Sequence, residues 1–253
     1  MAALGQIMIK KVILFASVFI IVLVLAIFFI IRVKSLLFHD MSLVMEGAAG
    51  LGILTGIWRG ITANGRLVGT GTQPDRHNID SFLEHWGTAT GILLLALSGL
   101  FIQLHYQRIF SNNLHFLGLV IMLFFGTYFL AHFLVSKKYR DLVPNIKDIT
   151  EGTIKKYLVQ KPWKDTRKYL ASQRTSFLVF AILGLIILAS GIIKVLAYYY
   201  GIPMQLLLFA TSVHDVTAIL FGVMVLIHVL IVTLGRTYRR FLPSFFTGKI
   251  KEP

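Results

Sequence analysis

The sequence predicts an all-α integral membrane protein, a four-helix bundle with one or two extra transmembrane helices at its N-terminus. Three observations carry this. Of 253 residues, 56% are hydrophobic, and the mean hydropathy is +0.76, a balance typical of chains whose helices cross lipid. The apolar residues fall into runs long enough to span a hydrocarbon core about 30 Å thick. The basic residues, 25 against 11 acidic, gather in a few polar segments between those runs. In a soluble protein a net charge of +14 would suggest a nucleic-acid partner. Here the positive-inside rule explains it, so membrane lipid is the expected surrounding and no nucleic acid is expected.

Residues 12–31, VILFASVFIIVLVLAIFFII, form an unbroken apolar run flanked by Lys10, Lys11, Arg32 and Lys34. No small-residue cleavage site follows, so a retained transmembrane helix is expected rather than a signal peptide. Residues 42–58 are shorter, glycine-rich and carry Glu46. They read as a short span packed through small residues, with a re-entrant or interfacial segment as the alternative. A polar, glycine-rich stretch at 59–80 follows. Its GTGT lacks the Lys-Ser/Thr and the strand–helix setting of a phosphate loop. Residues 1–80 are thus an N-terminal extension, 81–242 the four-helix core and 243–253 a cytoplasmic tail.

The core spans are 85–104, 115–135, 175–193 and 211–234. The segment 136–174 carries eleven lysines and arginines, and its acids are Asp141, Asp148, Glu151 and Asp165. It is therefore the cytoplasmic loop, and Arg236, Arg239 and Arg240 place the C-terminus on the same side. The expected location is the cytoplasmic membrane, crossed several times. The connections around 105–114 and 194–212 carry little charge and fall outside.

The last span, TSVHDVTAILFGVMVLIHVLIVTL, holds His214 and His228 fourteen residues apart. At ~100° per residue they share one helix face, and at ~1.5 Å rise they lie about 21 Å apart along the axis. A histidine inside a membrane is costly and marks function by default, and neutral imidazole is a common axial ligand of haem iron. With the orientation above, His85 and His228 lie near the cytoplasmic face, and His115 and His214 near the outer face. Two bis-histidine haems follow, each ligated from facing helices of a bundle. The alternatives are histidines hydrogen-bonded between helices, or a proton path. The chain has no cysteine, which excludes disulfides, thiolate-held iron–sulfur clusters and covalent haem attachment. Any haem is therefore a non-covalent haem b. Gly99, fourteen residues after His85, falls level with the outer haem, where a missing side chain admits a flat macrocycle. His132 points about 100° away from His115 on the same helix and is the reserve candidate for an inner ligand.

These residues resemble the formate dehydrogenase gamma-subunit family of dihaem cytochromes b, with the hydrogenase cytochrome b subunits as close relatives. The resemblance runs from Phe82 to Arg240. It rests on His85-Trp86 ahead of LLLALSGL, His115-x-x-Gly118, Lys168-Tyr169-x-Ala171-x-Gln173 and the His214/His228 pair. It implies an outer haem on His115 and His214 and an inner haem on His85 and His228. It also implies electron transfer from an outside iron–sulfur or other redox subunit, through both haems, to menaquinone or ubiquinone. The quinone site is expected at Tyr169, Ser172, Gln173 and Arg174. The chain departs from the family pattern at Ser81, Phe82 and Leu83, where an arginine is usual. It departs again at Leu170 and Ser172, where the family's quinone-site Asn and Gly fall. The alternative functions are a stand-alone transmembrane b-type electron carrier and a histidine-relay transporter.

Overall fold

A computed structural model describes residues 42–66, 79–160, 162–164 and 169–234. The helix expected at 12–31, the turn-rich 67–78 and the tail at 243–253 lie outside the described residues. The helices are α1 (Ser42–Arg66), α2 (Ile79–Gln103), α3 (Arg108–Val135), α4 (Tyr139–Leu142), α5 (Ile146–Ile149), α6 (Lys156–Leu158), α7 (Ala171–Tyr200) and α8 (Met204–Leu234). A π-helical turn, Thr150–Lys155, separates α5 from α6. Among the described residues there is no strand. Among the described residues four helices are long and apolar enough to cross a membrane: α2 from Asp80, α3, α7 and α8. They are the four core spans read from the sequence. The segment read as 42–58 extends to Arg66 but is not among the four, its apolar run diluted by glycine, threonine, Glu46 and Arg59.

Each core helix begins upstream of its apolar run. The backbone continues in helical geometry through polar residues until a tight turn stops it. Between α2 and α3 that turn contains His105 and Gln107 at φ of 54° and 34°, left-handed values uncommon away from glycine. Between α7 and α8 it is Gly201 at φ 62°, where glycine carries no Cβ penalty, with Pro203 just ahead of α8. The connections are therefore shorter than the polar stretches suggest. His85, His115 and His214 lie well inside their helices rather than at the start.

Two compact units divide the chain, one running to Ser136 together with residues from Val232 onward, the other Lys137–Ile231. In the first unit, α1 and α2 both pack on α3. Gly52, Gly56 and Gly60 line the buried face of α1, spaced one turn apart. A Cβ on Gly56 would lie 2.5 Å from the Tyr128 carbonyl and 2.9 Å from Ala131 Cβ. Small residues at this spacing let two helix backbones approach closely without any hydrophobic driving force. Gly91 plays the same part on α2, where a Cβ would meet Met122 at 3.0 Å.

In the second unit α4, α5 and the π-helical turn are folded onto the start of α7. Asn145 and Asp148 form a reciprocal capping box on α5, which satisfies two otherwise orphan amides. Asp148 also receives Arg174 through Nη2 at 2.6 Å and Nε at 3.2 Å, with both side chains buried. Thr153 and Thr175 hydroxyls meet at 2.9 Å. Beyond this base, α7 and α8 carry large exposed apolar side chains such as Leu185, Phe209 and Ile219, which suit contact with lipid.

Gly56→Ala should loosen the α1–α3 contact and destabilise the protein by ~1–3 kcal/mol, the usual range for overpacking. Gly47→Ala, where nothing lies within 4 Å of the added carbon, should cause no loss. Thermal unfolding in detergent compares the two, and equal behaviour would dismiss the glycine face.

Candidate functional site

The histidines are positioned by groups the bilayer cannot supply. In the first unit, Ser98 on α2 is fully buried, and its Oγ lies 2.9 Å from Nδ1 of His115 on α3. The same hydroxyl donates to the Leu94 carbonyl at 2.6 Å. A hydroxyl has one proton, and that proton is used on the carbonyl. Its oxygen therefore accepts from Nδ1–H, so Nε2 of His115 is the nitrogen that carries the lone pair. Beside Ser98, Gly99 has open space where a Cβ would project, the clearance a flat ring needs.

In the second unit, His214 Nδ1 lies 3.1 Å from both the Ile187 carbonyl and Ser190 Oγ. A carbonyl can only accept, so Nδ1 carries the hydrogen and Nε2 the lone pair. The ring packs over Gly191, whose added Cβ would stand 3.4 Å from His214 Cε1. Both donor sets fit a haem iron, which takes a neutral imidazole through one ring nitrogen while the other is held by a fixed acceptor.

His228 is half-buried on α8, with the Phe180 ring edge-on at 5.8 Å. His85 is half-buried on α2, with Trp86 edge-on at 5.2 Å. His85, His115 and Gly99 belong to the first unit, and His214 and His228 to the second. His132 differs. Its Nδ1 lies 2.5 Å from Glu84, the Tyr128 ring stacks on it, and it is 3% exposed. Among the described residues no hydrogen-bond partner reaches its buried Nε2. The nitrogen suits a metal, but the enclosure leaves no open face for a macrocycle.

The residues read as a quinone site have structural occupations. Arg174 is spent on Asp148 and on the Tyr169 carbonyl. Gln173 accepts the Leu170 amide at 3.0 Å, capping α7. Ser172 meets the Tyr157 hydroxyl at 3.3 Å, and Tyr169 is buried.

Sequence reading passed over a second buried polar group at the head of α2. Arg59 on α1 pairs with Asp80 at 2.7 and 3.1 Å, and Tyr128 on α3 donates to the same carboxylate at 3.0 Å. A cleft of about 300 Å³ opens beside it, lined in part by Trp58, Arg59, Phe124 and Tyr128. Asp80 and Glu84 are one turn apart and face α3, a pattern that looks like ordinary helix-start chemistry until α3 is placed. Ser98 and Ser190 were also passed over, though a signal existed. GILLLALSG at 91–99 and GLIILASG at 184–191 are near-repeats ending in Ser-Gly.

Apolar membrane helices, His115 and His214 held through Nδ1, and no cysteine to tether a macrocycle together fit a b-type cytochrome of the membrane. Residues 76–248, more than half of the chain, match the family model for prokaryotic cytochrome b561, and the protein belongs to that family. It is a multi-pass membrane protein and a transmembrane b-type electron carrier with haem b as its cofactor. No curated protein and no solved structure matches the chain.

Arg174→Met should strand the buried Asp148 carboxylate and cost ~3–5 kcal/mol, as breaking a buried pair does. The double variant with Asp148→Leu should recover much of that loss. Unfolding of the detergent-solubilised protein measures both, and an Arg174→Met protein as stable as wild type would remove the pair from the fold's supports.

Proposed function

We propose that the protein is the membrane-anchoring, dihaem b subunit of a respiratory oxidoreductase in the cytoplasmic membrane. It passes electrons between an iron–sulfur or other redox partner on the outer face and the quinone pool. The observation that carries this is that His115 and His214 are each held through Nδ1 within their own hairpins. A bond there leaves Nε2 as the nitrogen a haem ligand uses. These two serve the outer haem, and His85 and His228 the inner one. The depth argument supports this pairing. His115 lies seven residues from the start of α3, and His214 ten residues from the start of α8. His85 is six residues into α2 from its other end, and His228 six residues before the end of α8. The short outer turns leave an outer haem close to the membrane surface, where a docked partner can exchange electrons.

The chain's own residues do limited work. The four histidines hold the two macrocycles at two depths, Gly99 admits one of them, and the apolar helices exclude water. Haem b, when bound, supplies the one-electron chemistry. The formate dehydrogenase gamma-like pattern supports the oxidoreductase role over a stand-alone carrier, which the family description alone would equally suit. The two differ in one outcome, the co-purification of a redox subunit.

Pyridine haemochrome analysis should return two haems b per chain. His115→Ala and His214→Ala should each remove the same haem, while His85→Ala and His228→Ala remove the other. One haem or none in the wild type, or loss of the inner haem on His132→Ala with His85→Ala intact, would reject the assignment.

The quinone reading rests on residues 169–174, at the end of the core that the charge pattern assigns to the cytoplasm. Gln173 has its carbonyl oxygen on Leu170, which leaves its amide hydrogens for a quinone oxygen, and Ser172 adds a hydroxyl. A few polar groups in an apolar slot suffice to fix such a head group. With the haems reduced beforehand, Gln173→Ala should slow their reoxidation by a menaquinone analogue. Equal rates in wild type and variant would take the quinone away from this segment.

A further inference from the structure

The two histidine supports are copies of one device. In each hairpin a Ser-Gly pair sits in the first helix and a histidine in the second. In each, the serine hydroxyl donates to a carbonyl of its own helix one turn back, Leu94 for Ser98 and Ile186 for Ser190, at 2.6 and 2.9 Å. In each, the serine oxygen then lies on Nδ1 of the histidine, at 2.9 and 3.1 Å. Both serines are buried. The local sequences that deliver them are near-repeats, GILLLALSG and GLIILASG. A helix-interior serine can satisfy itself on its own backbone. That need explains one hydrogen bond of each serine and leaves the contact with a histidine unexplained. Ser212 makes only the ordinary kind, to Leu208 at 3.0 Å.

We infer that Ser98 and Ser190 are positioning residues, Ser98 for His115 and Ser190 for His214, each anchoring Nδ1 of its histidine so that Nε2 would be the nitrogen offered to a haem iron. The inference rests on the histidine assignment proposed above and deepens it. The reasoning is chemical. Around a haem that binds only through its iron, each imidazole plane is free to turn about the iron–nitrogen axis unless its far nitrogen is anchored. An acceptor on Nδ1–H stops that rotation, selects the Nε2 lone pair and makes the ring more electron-rich. A richer ligand favours the oxidised iron, so removing the acceptor raises that haem's potential. The glycines that follow the serines differ: a Cβ at Gly191 would stand in ordinary contact with the His214 ring, and a Cβ at Gly99 would meet nothing within 4 Å.

The test uses the full-length protein in detergent, with the two haems resolved by redox titration and by the ferric low-spin electron paramagnetic resonance signal. Ser98→Ala should keep both haems, raise the potential of one and shift that haem's resonance. It should also weaken retention of that haem by about 10-fold, the lower end for loss of such a support. Ser190→Ala should raise the potential of the haem that His214 holds, by less, because the Ile187 carbonyl still holds the ring. Ser212→Ala should move neither. If Ser98→Ala does not accumulate, Ser190→Ala carries the test alone. Unchanged potentials and resonances in both variants would overturn the serine role and leave the histidine assignment standing. A wild-type protein without haem would overturn the histidine assignment, and this inference with it.

Discussion

A polar group inside hydrocarbon has no water to bond, so every such group here must be satisfied by another part of the chain. That constraint accounts for most of what the structure does beyond making helices. Ser98 and Ser190 close on their own backbones and on histidines. Asp80 takes both Arg59 and Tyr128, Glu84 takes His132, and Asp148 takes Arg174. The same constraint orients the histidines: His115 and His214 are half-buried, and each meets a neighbouring helix through Nδ1.

The second theme is closeness. Helices in lipid gain nothing by hiding apolar surface from one another, so they associate where their backbones can meet. Gly52, Gly56 and Gly60 bring α1 onto α3, and Gly91 brings α2 onto α3. That contact closes the first unit around Asp80, Glu84, Tyr128 and His132. It also encloses His132, whose Nδ1 meets Glu84 and whose Nε2 is buried. Gly99 and Gly191 act differently, one leaving open space and the other seating an imidazole ring. Glycine in this chain thus does two jobs, and the neighbour decides which.

Much of the architecture was legible in residue order. Twenty-residue apolar runs, clustered lysines and arginines, and the fourteen-residue spacing of His214 and His228 suffice for a membrane bundle with histidines at two depths. Family membership in prokaryotic cytochrome b561 agrees with that reading. Helix boundaries were less legible, because the helices run on through polar residues until a left-handed turn at His105 and Gln107, or at Gly201, stops them. The segment 169–174 was legible as a motif but not in its local role. Arg174 and Gln173 find structural partners in Asp148 and in the Leu170 amide. One of these lies twenty-six residues away, beyond what local spacing can foresee.

By itself the sequence determined the class of protein, since hydropathy period and residue type are local properties of the chain. It determined that any haem is held without a covalent bond, because there is no cysteine. Only the tertiary structure decided which nitrogen of His115 and of His214 carries the hydrogen, and which histidine is walled in. Those outcomes depend on an acceptor from a different helix. A hydrogen bond across a helix interface is set by three-dimensional register, which no single run of residues encodes.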